Sequence, residues 1–240
     1  MVTPRPVVLV HGAWHGGWCF AALQHALDEL GVPSYAPDLP GHGASTHPLT
    51  DLHGDARAIT TLLAQLDRPA VLVGHSYGGG VITQAAEWHA DVAHLVYLAA
   101  FALLDGESIR GSLRNFPPEE VALAAAMVPR DDGTTVLDPT LGPPALYGDC
   151  SPAVIAAAVP RWSPQPHAAM TQQVTGSPLG RIPSTYVVCT RDRAVHPNHQ
   201  RAMAARCTHE VTLDCDHSPF LSRVDDVAAL LHRVATEDHS

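Results

Sequence analysis

One serine stands where its hydroxyl could act as a nucleophile. Ser76 lies in Gly74-His75-Ser76-Tyr77-Gly78, between an apolar run at Ala70 to Val73 and a helical pattern from Val81 to Trp88. A serine on so tight a strand-to-helix turn adopts strained backbone angles, and the flanking glycines let neighbouring backbone approach it. The turn lifts the hydroxyl above the sheet and aims the first helix amides, with the helix dipole behind them, at the same spot. Gly-x-Ser-x-Gly also arises by chance in glycine-rich loops. The strand before it and the helix after it make it specific here.

A serine nucleophile needs a base, and the base needs an orienting carboxylate. His217 follows the last strand pattern, in Asp214-Cys215-Asp216-His217-Ser218. Asp192 follows the one before, in Val188-Cys189-Thr190-Arg191-Asp192. In a doubly wound sheet both would stand past carboxyl ends of strands, the edge that carries the site. Asp214 and Asp216 are too close along the chain to His217 to approach its ring easily from the far side. Asp105, after the strand pattern at Ala93 to Ala99, is the remaining rival, and topology favours Asp192. The loop after the first strand, His11-Gly12-Ala13-Trp14, should lie beside Ser76, so the predicted oxyanion donors are the backbone amides of Ala13 and Tyr77.

These residues need a scaffold, and the apolar patterning describes one. Strand patterns occur at Pro6 to Val10, Ser34 to Ala36, Ala70 to Val73, Ala93 to Ala99, Thr185 to Cys189 and Glu210 to Leu213. Helical patterns fall between them, at Phe20 to Leu30, Leu52 to Leu66, Val81 to Trp88, Pro197 to Ala205 and Val224 to Val234. The alternation predicts an α/β fold with a doubly wound, mostly parallel sheet of about six strands. From Phe101 to about Arg181 the chain is rich in Pro, Gly and Ala. It offers short helical pieces at Pro118 to Met127 and Pro152 to Val159, and no strong strand. The expected organisation is a core of residues 1–102 and 181–240 with a helical lid at 103–180.

Composition narrows the function classes. The chain has 240 residues, 46% of them hydrophobic, enough for one large core with a lid. A formal net charge of −10 argues against nucleic acid or an anionic membrane surface as partner. All 14 basic residues counted as lysine or arginine are arginines, which removes Schiff-base and P-loop lysine chemistry. The five cysteines, an odd number without a Cys-x-x-Cys pair, read as buried free thiols of a reducing compartment. With no signal peptide or membrane-spanning run, a cytoplasmic protein is expected. Among the 16 histidines, His25, His47, His53, His89, His94, His232 and His239 read as solvated surface. His196 and His199 have a metal-like spacing but no nearby third ligand, so no metal or other cofactor is expected.

With these residues placed, the chain resembles the α/β-hydrolase superfamily, and within it the plant methylesterase and hydroxynitrile lyase branch with its bacterial esterase relatives. The resemblance rests on stretches spread almost end to end: Val8 to Trp18, Val73 to Gly79, Leu98 to Phe101, Leu146-Tyr147-Gly148-Asp149-Cys150-Ser151-Pro152, Val187 to Asp192, and Asp216-His217-Ser218-Pro219. The Asp-Cys-Ser-Pro piece is the most telling, since generic hydrolases lack it. The resemblance implies a triad of Ser76, Asp192 and His217. Cyanohydrin-cleaving members add a threonine in the first loop and a lysine after the histidine, where this chain has Gly12 and Ser218. Tyr77 and Ser218 stand where plant esterases tend to have apolar residues.

The expected activity is hydrolysis of a small apolar or aromatic carboxylic ester through an acyl-enzyme. The pocket wall is drawn from Gly12, Trp14, His15, Tyr77, Phe101, Trp162 and Ser218. A lactonase or secondary-metabolite tailoring hydrolase, a hydroxynitrile-lyase-like cofactor-free lyase and a non-catalytic small-molecule receptor are the other readings. A homodimer is compatible with the sequence.

Overall fold

The computed structural model describes residues 3–237. Six strands form one parallel sheet: β1 (Val7–Val10), β2 (Ser34–Tyr35), β3 (Ala70–His75), β4 (Val92–Leu98), then β8 (Ser184–Cys189) and β9 (His209–Leu213), in the order β2-β1-β3-β4-β8-β9. Their side chains alternate between two cores, as the twofold period of a strand requires. Val8, Val10, Leu72, Leu95 and Tyr186 face one core, with α2 (Leu52–Leu63), α3 (Gly78–Trp88) and α9 (Pro197–Ala204). Val7, Leu9, Val71, Val73 and Val187 face the other, with α1 (Ala21–Glu29) and α11 (Val224–Thr236). Helices on both faces explain why the central strands read as unbroken apolar runs.

The chain steps from β1 to β2 on one side, then crosses to β3 on the other. The reversal falls between β1 and β3, where a doubly wound sheet opens a crevice at its carboxyl edge. Register pairs Val10 with Gly74 and His75 with Leu98, so the ends of β1, β3 and β4 emerge together. Helix starts follow local chemistry: Asp51 caps α2 by accepting the Gly54 amide at 2.8 Å.

The stretch between β4 and β8 departs from the expected helical lid. It holds α4 (Ile109–Arg114), α5 (Ala122–Ala126), α6 (Gly142–Leu146), α7 (Pro152–Ala158) and α8 (His167–Thr171). It also holds an antiparallel sheet of β5 (Met127–Pro129), β6 (Thr134–Leu137) and β7 (Gln165–Pro166). The cause is a turn at Asp131-Asp132-Gly133, with Gly133 at φ +79° and the Arg130 amide bonded to the Thr134 carbonyl at 2.8 Å. An Asp-Gly turn ahead of Thr134-Thr135-Val136 favours a hairpin, so the helix expected to Met127 stops at Ala126. The last short helix is α10 (Pro219–Ser222).

Two surface assignments change. His94 is buried, because β4 is flanked by strands on both sides, and its Nε2 meets the Thr185 hydroxyl at 2.9 Å. Cys150 and Cys207 are only half-buried, whereas Cys19, Cys189 and Cys215 are buried; all five are free thiols. His239 lies outside the described residues. No described helix is long and apolar enough to cross a membrane.

Candidate active site

Ser76 follows β3 directly and has φ +51°, a left-handed conformation that costs energy in any residue with a side chain. Its neighbours over-determine it. A side chain at Gly74 would begin 2.6 Å from the Gly78 carbonyl oxygen, and one at Gly78 would begin 2.4 Å from that of Val10. Only glycine fits at either place. The Ser76 amide donates to Leu98 and its carbonyl accepts from Phe101, which locks the turn to the end of β4.

The structure brings Asp192 and His217 together. His217 Nδ1 lies 2.7 Å from Asp192 Oδ2, and both side chains are sealed from water, at 1% and 0% exposure. The carboxylate accepts three further bonds: from the Ala194 and Val195 amides at 2.7 and 2.9 Å, and from Gln200 Nε2 at 2.7 Å. Gln200 is itself fixed, accepting the Cys189 amide at 2.9 Å and donating to the Val195 carbonyl at 2.7 Å. With the carboxylate accepting from Nδ1, His217 keeps Nε2 free to take a proton. Asp105 instead accepts the Gly176 amide in an exposed loop, and Asp214 pairs with Arg191. Asp216 binds the amides of Asp149 and Ser218.

His75 joins the two halves of the site. Its ring packs 4.6 Å from that of His217, and its Nε2 donates to the His217 carbonyl at 2.9 Å. Burial, reinforced by His217 and His15, holds its pKa well below that of a free imidazole, so His75 is neutral. A side chain at Gly12 would begin 2.8 Å from His75 Nδ1 and 3.1 Å from Ser76 Cβ, so the first loop presses directly on the serine. Among the described residues, the amides of Ala13 and Tyr77 donate to no acceptor.

Most of the expected pocket wall is tied into the protein. Trp14, at φ +62°, donates to the Thr135 carbonyl at 3.1 Å, and its own carbonyl accepts the Ser163 amide at 2.8 Å. His15 Nδ1 donates to the Ala13 carbonyl at 2.7 Å, and its Nε2 faces the Tyr147 hydroxyl at 2.5 Å. Trp162 donates to that hydroxyl at 2.9 Å and lines an open cleft of about 410 Å³ with Trp18, Asp38 and Ser163, whose walls do not include Ser76. Phe101 is packed in the core. Ser218 is fully buried, and its hydroxyl has no partner among the described residues.

The Tyr77 side chain is buried and donates to Asp55 Oδ2 at 2.6 Å. Burial is the main cause that lifts the Asp55 pKa to about 7, Asp51 adds to it and the Tyr77 bond opposes it. His196 accepts the Asn198 amide at the start of α9, and His199 Nε2 bonds the Pro117 carbonyl. Among the described residues no group of three or more histidine, cysteine or acidic side chains is placed to hold a metal ion.

Gln200, Asp55 and His75 escape a reading of the sequence as machinery. Gln200 and Asp55 sit on helices with no signal in their spacing; His75 lies inside the motif but as an unspecified position. Tyr147 and Asp149 do carry a signal, in the Leu146 to Pro152 stretch.

Comparison with known proteins agrees with this architecture. The chain is 29% identical over 247 residues to an alpha/beta hydrolase, nvfD, of Aspergillus novofumigatus, covering 96% of each chain. It is 39% identical over 125 residues to a carbendazim hydrolyzing esterase of Nocardioides, a match that spans 48% of this chain and 50% of that protein. The crystal structure of the Arabidopsis methylesterase MES16 superposes with a TM-score of 0.79 at 26% identity, covering 95% of this chain and 98% of that one. A model of the alpha/beta hydrolase family matches residues 7–230, and the chain belongs to that family.

Proposed function

We propose that the protein hydrolyses a carboxylic ester by a serine mechanism, with residues 103–180 acting as a lid over the core. The observation that carries this reading is the sealed Asp192–His217 pair, 2.7 Å apart, whose imidazole packs 4.6 Å from the ring of His75, the residue directly before a serine held at φ +51°. Ser76 Oγ attacks the ester carbonyl while His217 Nε2 takes its proton. Asp192 orients His217 and stabilises the imidazolium. The Ala13 and Tyr77 amides receive the oxyanion, and their lack of internal acceptors leaves them available for it. His217 returns the proton to the leaving alkoxide, and water repeats the two steps on the acyl-enzyme. The esterase and methylesterase names of the relatives support the same reaction class.

Cyanohydrin cleavage is disfavoured by the first loop. A threonine at Gly12 would collide with His75 and Ser76, and no lysine follows His217. The test is initial rates on matched p-nitrophenyl and methyl esters of short aliphatic and aryl acids, for wild type and Ser76→Ala. Turnover that vanishes in the folded variant is expected. Equal turnover in both would remove Ser76 from the mechanism, and cyanohydrin or lactone turnover without ester turnover would replace the reaction class.

A further inference from the structure

The Leu146 to Pro152 stretch has no role in the mechanism above, yet it is bonded to both sides of the site. Part of it serves local structure: Ser151 caps α7 and Pro152 occupies its first turn. Tyr147 and Asp149 do something else.

Tyr147, fully buried, bonds the oxyanion loop through His15. A carbonyl only accepts, so the 2.7 Å contact with Ala13 puts the imidazole proton on Nδ1. His15 is sealed from water, and burial above all lowers its pKa to about 4, so it carries one proton and Nε2 is a bare acceptor. The Tyr147 hydroxyl therefore donates to His15 and accepts from Trp162, and every proton in the chain Trp162, Tyr147, His15, Ala13 has one possible direction. The chain ends on the carbonyl of the residue whose amide is free beside Ser76. His15 also donates its backbone amide to the Gly12 carbonyl at 3.4 Å, and His11 Nδ1 meets the same oxygen at 2.9 Å, so the Gly12–Ala13 peptide that carries the amide is held at its oxygen.

Asp149 bonds the loops that carry the acid and the base. Its amide donates to Asp216 Oδ2 at 3.0 Å, and its Oδ2 accepts the Asp216 amide at 2.8 Å, one residue before His217. The same oxygen accepts Arg191 Nη2 at 2.9 Å, one residue before Asp192. Arg191 also donates to the Asp214 carbonyl at 2.9 Å. Arg191 is half-exposed, so its ion pair contributes little to stability; its effect is geometric.

Resting on the esterase reading, we propose that Tyr147–Asp149 is a strap that aligns the oxyanion donor of Ala13 with the His217 base, Tyr147 and Asp149 being positioning residues that do not touch substrate. A displacement of the donor weakens the bond to a developing oxyanion more than it weakens substrate binding.

The test is Tyr147→Phe, which removes one hydroxyl and keeps the ring. Two quantities are read: kcat and KM on the best ester, and the inhibition constant of a trifluoromethyl ketone. That ketone adds Ser76 Oγ to its carbonyl carbon, gives the serine proton to His217 and places an oxyanion where the amides point. The expected result is a fall in kcat of about tenfold to a hundredfold with KM within about twofold. Ketone affinity should fall by the same factor as kcat/KM, a proportionality that a merely less stable enzyme would not show. Should Tyr147→Phe fail to fold, Trp162→Phe removes the donor to the Tyr147 oxygen from a half-buried position. It should show a smaller loss with the same proportionality. Unchanged kcat in the folded variant, or a raised KM with ketone affinity intact, overturns the strap while leaving the esterase reading standing. A wild type that neither turns over esters nor binds the ketone overturns that reading and the strap with it.

Discussion

Asp55→Asn is expected to change how stability depends on pH, by an amount the structure sets. Asp55 is buried on α2, accepts the Tyr77 hydroxyl through Oδ2 and has no partner for Oδ1 among the described residues. Its pKa is raised to about 7 in the fold, from about 3.8 in the unfolded chain. Between those values the folded protein binds a proton that the unfolded chain releases, so stability falls as pH rises through that window. Below it both states are protonated and the burial of Asp55 costs nothing extra. Above it both are ionised and the cost is complete, about 4 kcal/mol at 1.36 kcal/mol per pKa unit. Asparagine keeps an acceptor for Tyr77 and cannot ionise. Its amide nitrogen, facing the place where Oδ1 now lacks a partner, carries a penalty of about 1–3 kcal/mol that does not vary with pH. The slope is therefore the signal. Urea unfolding of both proteins from pH 5 to pH 8 should show the difference, variant minus wild type, moving about 3 kcal/mol in favour of the variant. Parallel profiles would mean that Asp55 titrates in the fold as it does in the open chain, and would refute the argument.

Two further outcomes follow from the same geometry. Asp192→Asn removes the charge that four hydrogen bonds hold in place and unsettles the His217 tautomer, so kcat should fall by about 10³-fold or more; steady-state rates within tenfold of wild type would exclude Asp192 as the orienting acid. His11 and His15 are buried and neutral, with pKa values lowered to about 3 and about 4 chiefly by burial, so stability should be lost as pH falls below about 6.5, where the unfolded chain takes up the protons first; by pH 4 the loss from these two is about 3 kcal/mol each, and denaturant midpoints that hold steady between pH 7 and pH 4 in Asp55→Asn, where that carboxyl no longer opposes the trend, would contradict it.

What the sequence determined by itself is everything governed by short-range sterics and periodicity. The Ser76 turn is legible because it leaves a spacing: a side chain at Gly74 would meet the Gly78 carbonyl four residues on, a local constraint, and the glycine at 78 that completes the motif is the one that lets β1 approach. The six parallel strands are legible because burial on both faces demands unbroken apolar runs, and the order Ser76, Asp192, His217 follows from strand count. The tertiary structure decided which polar groups meet. Tyr147 and His15 are 132 positions apart, Tyr77 and Asp55 are 22, and neither pairing leaves a pattern in the chain. Asp192 prevails over Asp105 as the partner of His217 because β8 and β9 are adjacent in the sheet and Asp105 is engaged by Gly176. His94 looked like surface because a histidine in a strand carries no mark of the strands beside it. The hairpin in the insertion hid behind composition, since three short strands with few apolar residues have no periodicity of their own. Hydrogen bonds between distant residues depend on where packing puts their atoms, and that information resides in the fold as a whole.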